Sequence, residues 1–327
     1  MTIVQGAADY IAVDDLAVVT TYFNPSRYRT KLENYRRFRQ PFVQSNQDLV
    51  TVELAFSDSE FSLESTQKHP VIRIRADSVL WQKERLLNLA LQALPPSFTK
   101  VAWLDCDLLF SNPSWLLETS RALEECRLVQ PFEAVVRLPM GFHVYSGDGL
   151  VYRSFAAVYR AHPTAHLCGN FDIHGHTGFA WAARRDLLSS IGFYDACIAG
   201  SGDHMMAHAA CGDWQSSCVR RDVGRTETQA NHFRNWAEPF GTAVDGKLHS
   251  VAGTVLHLWH GEIQHRRYAD RHAELAGFSF DPVADIAIDS SGAWKWNSNK
   301  PELHRWARQY FDHRLEDGVA FPTDAAR

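Results

Sequence analysis

Several features are missing from this 327-residue sequence, and each absence excludes a class of protein. No apolar run approaches the length of a membrane-spanning helix, and residues 1–15 contain three aspartates and no basic segment of the kind that opens a signal peptide. The formal net charge of −5 excludes a globally basic field that would attract nucleic acid. No repeat, low-complexity segment or linker stands out, so we expect one domain over residues 1–327.

Cysteine usage also lacks a pattern. The six cysteines are scattered along the chain and include no CxxC pair. They are Cys106, Cys126, Cys168, Cys197, Cys211 and Cys218. Because the chain is too long to be a small disulfide-stapled secreted domain, we expect reduced thiols and a cytoplasmic location.

Hydrophobic periodicity predicts alternating strands and helices in the first half of the chain. The predicted strands cover residues 16–23, 49–56, 71–74 and 100–110, and the predicted helices cover 28–39, 82–94 and 114–125. The second half is less regular, with a strand-to-helix step over 179–191, a strand over 254–259, a loop over 281–300 and a helix over 301–315. This alternation predicts an α/β fold, in which helices flank a mixed, mostly parallel sheet.

Two carboxylates interrupt the apolar segment 100–110. Period-two alternation places Asp105 and Asp107 on one face of a strand, with Cys106 opposite. Two like charges among buried residue types are costly unless a cation compensates them, and Mn²⁺ or Mg²⁺ suits such oxygen ligands. The alternative is that the strand has already ended and both aspartates are solvated in a loop.

Three segments in order carry a resemblance to a known family. They are the start, Val19-Thr-Thr-Tyr-Phe-Asn-Pro25; the segment Trp81-Gln-Lys-Glu-Arg-Leu-Leu-Asn-Leu-Ala90; and Asp105-Cys-Asp107. Together they resemble the GT-A glycosyltransferases, in particular the beta-1,4-galactosyltransferase group and family 2-like enzymes. The resemblance implies a Rossmann-like nucleotide-diphospho-sugar transferase fold. It also implies a nucleotide-sugar half over about 16–132, an acceptor half over about 133–280 and a C-terminal extension over about 281–327.

The resemblance implies a donor site in the first half. The implied residues are Thr20, Tyr22 and Asn24 at the nucleoside, Trp81 as an aromatic contact, Lys83 near the diphosphate, Asp105 at the ribose and Asp107 on the metal. For Trp81 and Lys83 the alternative is that both simply start an amphipathic helix.

The acceptor side departs from the family pattern. Residues 176–186 and 192–195 resemble the family's glycine-containing strand and turn, and they imply sugar contacts at Gly178 and Trp181. The loop Gly200-Ser-Gly-Asp-His204 takes the place of a Gly-Trp-Gly-Gly-Glu-Asp loop and implies a further contact at Gly202. The catalytic base is therefore either Asp203, which we prefer, or His204. Alternatively, Asp203 only caps a helix over 205–211.

The family completes its metal shell with a histidine and a residue three positions earlier, and His257 and His260 have that spacing. Imidazole with carboxylate suits Mn²⁺ somewhat better than Mg²⁺. Other histidine pairs, His174/His176 and His204/His208, could be zinc ligands, but Met205 replaces the glutamate of the metalloprotease motif. Scattered core histidines explain most of these pairs without a ligand.

The sequence as a whole predicts metal-dependent transfer of a hexose from a UDP-sugar to a hydroxyl, with inversion implied by the resemblance. The acceptor stays open among a glycan, a lipid-linked sugar, a metabolite, a protein and a modified nucleic-acid base. A nucleotidyltransferase is the first alternative, although no glycine-rich phosphate loop lies between residues 17 and 39. A non-catalytic carbohydrate-binding protein is the second, favoured by the altered acceptor loop. The basic segments 220–225 and 265–267 could contact phosphate or be solvated surface.

Overall fold

The structure is a computed structural model, and it describes residues 4–5, 9–147, 149–162, 171–268 and 270–318. Cys168 lies outside these residues, and none of the other five cysteines forms a disulfide within the described ranges. Within the described ranges, none of the helices has the length and apolar character needed to cross a membrane.

The strands form four sheets. They are β1 (Val4–Gln5), β2 (Leu16–Phe23), β3 (Leu49–Phe56), β4 (Val71–Ala76), β5 (Lys100–Leu104), β6 (Leu108–Phe110), β7 (Leu128–Gln130), β8 (Ala134–Arg137), β9 (Val144–Tyr145), β10 (Val151–Arg153), β11 (Ala180–Arg184), β12 (Leu248–Ser250), β13 (Thr254–His257), β14 (Ile286–Ile288) and β15 (Trp294–Trp296). The segment predicted as a loop over 281–300 therefore contains a short antiparallel hairpin, β14–β15.

Helices connect and cover these strands. They are α1 (Arg29–Ser45), α2 (Lys83–Ala93), α3 (Trp115–Glu125), α4 (Phe155–Ala161), α5 (Phe171–His174), α6 (Arg185–Ile191), α7 (Gly202–Ala210), α8 (Ser217–Val223), α9 (Glu227–Val244), α10 (Arg271–Gly277) and α11 (Pro301–Asp312). A 3₁₀ turn spans Ile263–Arg266. The predicted helices over 28–39, 82–94, 114–125 and 301–315 are all present with shifted ends.

The central sheet has seven strands in the order β12-β7-β11-β5-β2-β3-β4. The pairs β2–β3, β2–β5, β3–β4 and β12–β7 are parallel, whereas β11 runs antiparallel between β5 and β7. The predicted α/β fold with a mixed, mostly parallel sheet is therefore confirmed.

The predicted strand over 100–110 is wrong as a single element. β5 ends at Leu104 in the central sheet, and β6 begins at Leu108 in a second sheet with the order β10-β8-β13-β6. Asp105 to Asp107 form the crossing between the two sheets. The Asp105 amide donates to the Phe179 carbonyl at 2.8 Å and the Asp107 carbonyl accepts from the Leu258 amide at 2.9 Å, so the crossing is held to a different neighbour at each end.

The core lies on both faces of the central sheet, and β2 shows how the two faces divide. Val19 and Phe23 pack with Trp103 and α2 on one side, whereas Val18 and Tyr22 pack on the other side. Because β2 alternates with period two, only its odd-numbered residues face α2. Side chains of odd-numbered and even-numbered β2 residues therefore have different surroundings, and only the odd-numbered ones face the side of the sheet covered by α2.

Candidate active site

A cavity of about 310 Å³ opens where β2 and β5 end, the edge of a parallel sheet at which ligands usually bind. It is lined by the end of β2, the start of α2, the crossing Asp105–Asp107, the first turn of α7 and the end of β13. Its wall also includes the segment His174–Phe179 and several arginines. One concave site therefore collects residues from both halves of the chain.

Lys83, the first residue of α2, lies between two carboxylates. Its Nζ is 2.6 Å from Asp105 Oδ1 and 2.7 Å from Asp203 Oδ2, and its side chain is only 8% exposed. Burial opposes the charge of the ammonium group, but Asp105 and Asp203 outweigh burial and hold the pKa of Lys83 well above its usual value. Lys83 therefore joins the crossing to α7 through two charge-assisted hydrogen bonds.

Asp203 lies in the first turn of α7, whose N-cap residue is Ser201. The alternative that Asp203 caps this helix is wrong, because the helix already begins at Gly202 and Ser201 is its N-cap residue. The Asp203 carboxylate is bound to Lys83 instead. Burial raises the pKa of Asp203, an effect that Lys83 counteracts. A carboxylate in the first turn also benefits from the positive end of the helix dipole.

The α2–α7 contact is close. A Cβ atom at Gly202 would collide with the carboxylate of Glu84, which is itself buried. Burial raises the pKa of Glu84 to about 8, so this acid is largely protonated at neutral pH. The glycine is therefore required for α7 to approach α2 closely enough for Asp203 to reach Lys83.

Asp107 lies against two histidines. Its Oδ2 is 3.0 Å from His260 Nε2, and its Oδ1 is 3.8 Å from His257 Nε2. The pairing of β6 with β13 sets Leu108 opposite His257, which brings Asp107 to the end of β13. One ligand atom from each of the three residues lies within 4.8 Å of the others. Carboxylate and imidazole atoms converging in this way could hold a divalent cation.

The electrostatics of this triad fit a cation. Burial, followed by the charge of Asp105, raises the pKa of Asp107 to about 7. Burial and then Arg266 lower the pKa of His260 to about 3, and burial also lowers the pKa of His257 far below its usual value. Both imidazoles are therefore neutral at physiological pH. The buried Asp107 Oδ1 accepts no hydrogen bond from the part of the chain that the structure describes.

Basic side chains dominate the remaining polar wall. The cavity is lined by seven basic residues and five acidic ones. The basic residues are Lys31, Lys83, Arg137, Arg221, Arg266, Arg271 and Arg314, and the acidic ones are Glu84, Asp105, Asp107, Asp203 and Asp222. Because Glu84 is largely protonated and Asp107 is partly so, the cavity carries an excess of positive charge. Such a wall suits an anion such as a diphosphate.

Most residues predicted from the sequence line this cavity. They are Trp81, Lys83, Asp105, Asp107, Gly178, Gly202, Asp203, His204, His257 and His260. Their roles remain predictions, but the structure brings them to one place. Trp81 stacks on Phe311 at 6.2 Å between ring centroids, so one of its faces is already covered.

Four predicted residues lie outside the lining. Thr20 is fully buried and donates to the Leu104 carbonyl at 2.7 Å, Tyr22 packs on Tyr35, and Asn24 bonds to the Tyr28 backbone. Trp181 is fully buried and donates to the Thr177 carbonyl at 2.7 Å.

Other residues line the cavity without having been predicted. On β2 they are Thr21 and Phe23, which the period-two alternation of the strand would have selected. Arg137, Arg271 and Arg314 come from distant segments, and no local pattern marks them. Arg266 belongs to the basic run 265–267, and its Nη2 lies 2.6 Å from His260 Nε2.

No protein-family model matches the chain, and neither does any curated protein. Among solved structures the chain is similar to S. aureus TarS, with 14% identity and a TM-score of 0.35 over 60% of this chain and 34% of that one. It is also similar to the catalytic domain of Drosophila beta1,4galactosyltransferase 7 in complex with xylobiose, with 12% identity, a TM-score of 0.31 and 60% of both chains covered.

A third similar structure is glucosyl-3-phosphoglycerate synthase from Mycobacterium tuberculosis in complex with Mn²⁺, UDP and phosphoglyceric acid. It has 14% identity and a TM-score of 0.40 over 84% of this chain and 82% of that one. The chain thus spans about a third of TarS (34%) and less than two thirds (60%) of the Drosophila domain. All three are glycosyltransferases, the class that the sequence resembles. All three TM-scores lie below 0.5.

The pKa of Asp107 leads to a pH prediction. Below about pH 7 this carboxyl is protonated and must lose its proton to bind a cation, so Mn²⁺ affinity should fall roughly tenfold per pH unit between about pH 7 and 5.5. Above pH 7 the affinity should level off, because both histidines are already neutral. Calorimetric titration with Mn²⁺ measures this slope. Asp107→Asn should abolish both the affinity and the slope, whereas a flat profile in the unchanged protein would contradict the assignment.

Proposed function

We propose that the chain is a metal-dependent glycosyltransferase, which transfers a hexose from a UDP-sugar to a hydroxyl acceptor with inversion. The observation that carries this proposal is the pairing of two centres in one cavity. Lys83, Asp105 and Asp203 form the first, and the triad of Asp107, His257 and His260 forms the second. The crossing between the two sheets holds both centres a few residues apart.

The triad would hold Mn²⁺ or Mg²⁺. The buried Asp107 Oδ1, which accepts no hydrogen bond from the described residues, and the neutral imidazoles fit a cation, and the mixed oxygen and nitrogen ligands favour Mn²⁺. When bound, such an ion acts as a Lewis acid that offsets the charge of a leaving diphosphate. Arg266 Nη2 lies 2.6 Å from His260 Nε2, so it would have to leave this nitrogen for the ion to bind, and it would then add a second positive charge on the same side of the cavity.

The donor would lie along the wall built from β2 and α2. Thr21 and Phe23 present polar and apolar contacts there, and Trp81 lies next to Phe23 at 5.2 Å between centroids. Asp105, which is about one-third exposed, is placed to accept a hydroxyl hydrogen bond from a ribose. The assignment of the nucleoside pocket thus moves from Thr20, Tyr22 and Asn24 to their odd-numbered neighbours on β2.

Asp203 would be the base. Its carboxylate is held by Lys83 through Oδ2 and also by the side chain of Trp103, and it lines the cavity, where it would take the proton of an attacking acceptor hydroxyl. Lys83 favours the ionised form of Asp203, which a base requires. His204 is less suited, because burial and the neighbouring imidazoles of His208 and His174 lower its pKa well below the usual value. Gly178 and Gly202 lie beside Asp203 in the cavity lining, but the space next to Gly202 is filled by Glu84, so only Gly178 would leave room for a sugar ring.

The domain organisation is part of this proposal. We propose one catalytic domain, with donor contacts from about 16–132, acceptor contacts from about 133–280 and an extension from about 281 onward. The central sheet supports this arrangement, because β11 and β12 from the second half pair with β5 and β7 from the first. The extension also contributes Arg314 to the cavity.

Loss of the central metal ligand tests the reaction class. Asp107→Ala should lower the rate of UDP release from UDP-sugars in the presence of Mn²⁺ by about 10³-fold or more, because several kcal/mol of charge stabilisation are lost. The matched control is Asp195→Asn, which changes an ion-paired aspartate outside the cavity and should leave the rate within about threefold.

The same assay separates the alternatives. Retained activity in Asp107→Ala would refute the metal assignment. If the unchanged protein binds UDP-sugars but turns over none of them with any hydroxyl acceptor tested, a non-catalytic carbohydrate-binding protein becomes the correct description. Release of pyrophosphate instead of UDP would point to a nucleotidyltransferase.

The role of Asp203 as the base can be tested by removing its ability to take a proton. Asp203→Asn keeps an acceptor for the Lys83 hydrogen bond but cannot take a proton, so kcat for transfer should fall about 10²–10⁴-fold. The affinity for UDP should change little, since Asp203 is assigned to the acceptor. Steady-state kinetics together with calorimetry of UDP binding distinguishes the two effects. A kcat within tenfold of the unchanged protein would remove Asp203 from the base role.

A further inference from the structure

A second cluster of metal-binding side chains lies beside the cavity, separate from the Asp107 triad. His174, His204, His208 and Cys218 each offer one ligand atom, and these four atoms lie within 4.8 Å of one another. All four side chains are buried. A tetrahedral shell with bonds of about 2.0–2.3 Å separates its ligand atoms by about 3.5 Å, so the four groups need only a small contraction to share one ion.

The fold brings these residues together from three helices. His204 and His208 lie four residues apart on α7 and therefore share one face of that helix. His174 ends α5 and Cys218 lies in the first turn of α8, and their side chains meet that face. The three imidazole centroids are 4.5–5.9 Å apart.

Hydrogen bonds orient the three rings in the same way. His208 Nδ1 lies 3.0 Å from Asp213 Oδ2, His174 Nδ1 lies 2.7 Å from the Gly175 carbonyl, and His204 Nδ1 faces the Thr177 hydroxyl at 3.5 Å. A ring that donates from Nδ1 has its lone pair on Nε2. A carboxylate or carbonyl that fixes a ligand histidine through its second nitrogen is the usual support of a protein-bound metal.

Two of these nitrogens lack a partner. His204 Nε2 and His208 Nε2 are buried and make no hydrogen bond with any residue in the described ranges. Buried polar atoms without partners are rare in native proteins and call for a missing ligand or ion. Burial and the adjacent His208 also keep the His204 ring neutral, which is the form that binds a metal.

We propose that His174, His204, His208 and Cys218 bind one Zn²⁺ in a closed, tetrahedral site. A thiolate with three imidazoles selects zinc over Mn²⁺ or Mg²⁺, which prefer oxygen ligands. Cys218 lies in the first turn of α8 and releases its proton on binding. Because protein atoms fill all four positions, the ion is structural and takes no part in the reaction.

A zinc ion bound by these four residues would also affect the neighbouring cavity that contains Asp203. It ties α5, α7 and α8 together directly behind the first turn of α7, where Asp203 meets Lys83. His204 is then a zinc ligand and not an alternative base. The zinc site does not depend on the proposed glycosyltransferase activity, so either assignment can fail without the other.

Metal analysis tests the proposal. The unchanged protein is purified without chelator and dialysed against metal-free buffer. Inductively coupled plasma mass spectrometry should then find one zinc ion per chain. Cys218→Ser and His208→Gln should each lower the retained zinc at least tenfold. Cys126→Ser, which alters a free cysteine far from the cluster in sequence, and Asp107→Ala, which disrupts the other triad, should retain it.

Cobalt provides a readout that does not require folded variants. Co²⁺ added to the zinc-depleted, unchanged protein should give the intense thiolate-to-metal absorption and the visible bands of a tetrahedral site. Zinc that persists in both ligand variants, or that is lost in Asp107→Ala but kept in Cys218→Ser, would overturn the proposal. So would the absence of both retained zinc and a thiolate–cobalt band in the unchanged protein.

Discussion

The ammonium group of Lys83 is the contact on which the candidate site depends. Buried at the start of α2, it binds Asp105 on the crossing between the sheets and Asp203 on α7. Without it two partly exposed carboxylates would lie close together with no positive charge between them, which is unfavourable for like charges. The same contact requires a glycine at position 202, because Glu84 occupies the space that a side chain would need. Elements from the two halves of the chain are thereby held in one geometry.

The crossing itself explains why the two centres are adjacent. The chain leaves the central sheet after Leu104 and enters the second sheet at Leu108, so Asp105 points toward Lys83 while Asp107 reaches His257 and His260 on β13. A carboxylate pair in a continuous strand would place both groups on one face. Because the chain changes sheets here, the two carboxylates have different partners. Asp105 contacts the ammonium group of Lys83, whereas Asp107 contacts the two histidines with which it could hold a metal ion.

How far the sequence predicts this arrangement depends on the range of the interactions. The α/β alternation, Lys83, both aspartates and the HxxH pair follow from local pattern and resemblance, and all of these residues reach the cavity. Thr20 and Trp181 do not reach the cavity. A motif can locate a strand, but the packing on the two faces of the sheet determines which of its side chains are buried. Arg137 and Arg314, and the meeting of His174 with Cys218, depend on packing between distant segments, which no local spacing encodes.

The proposed function depends on the binding of a nucleoside diphosphate together with a divalent cation in the cavity. Calorimetric titration of the unchanged protein with UDP, with and without Mn²⁺, measures this most directly. Because the cation would offset the charge of the diphosphate while the arginines contact its oxygens, UDP should bind at least tenfold more tightly with Mn²⁺ than without it. Affinity that is the same in both conditions, or no detectable binding in either, would contradict the account.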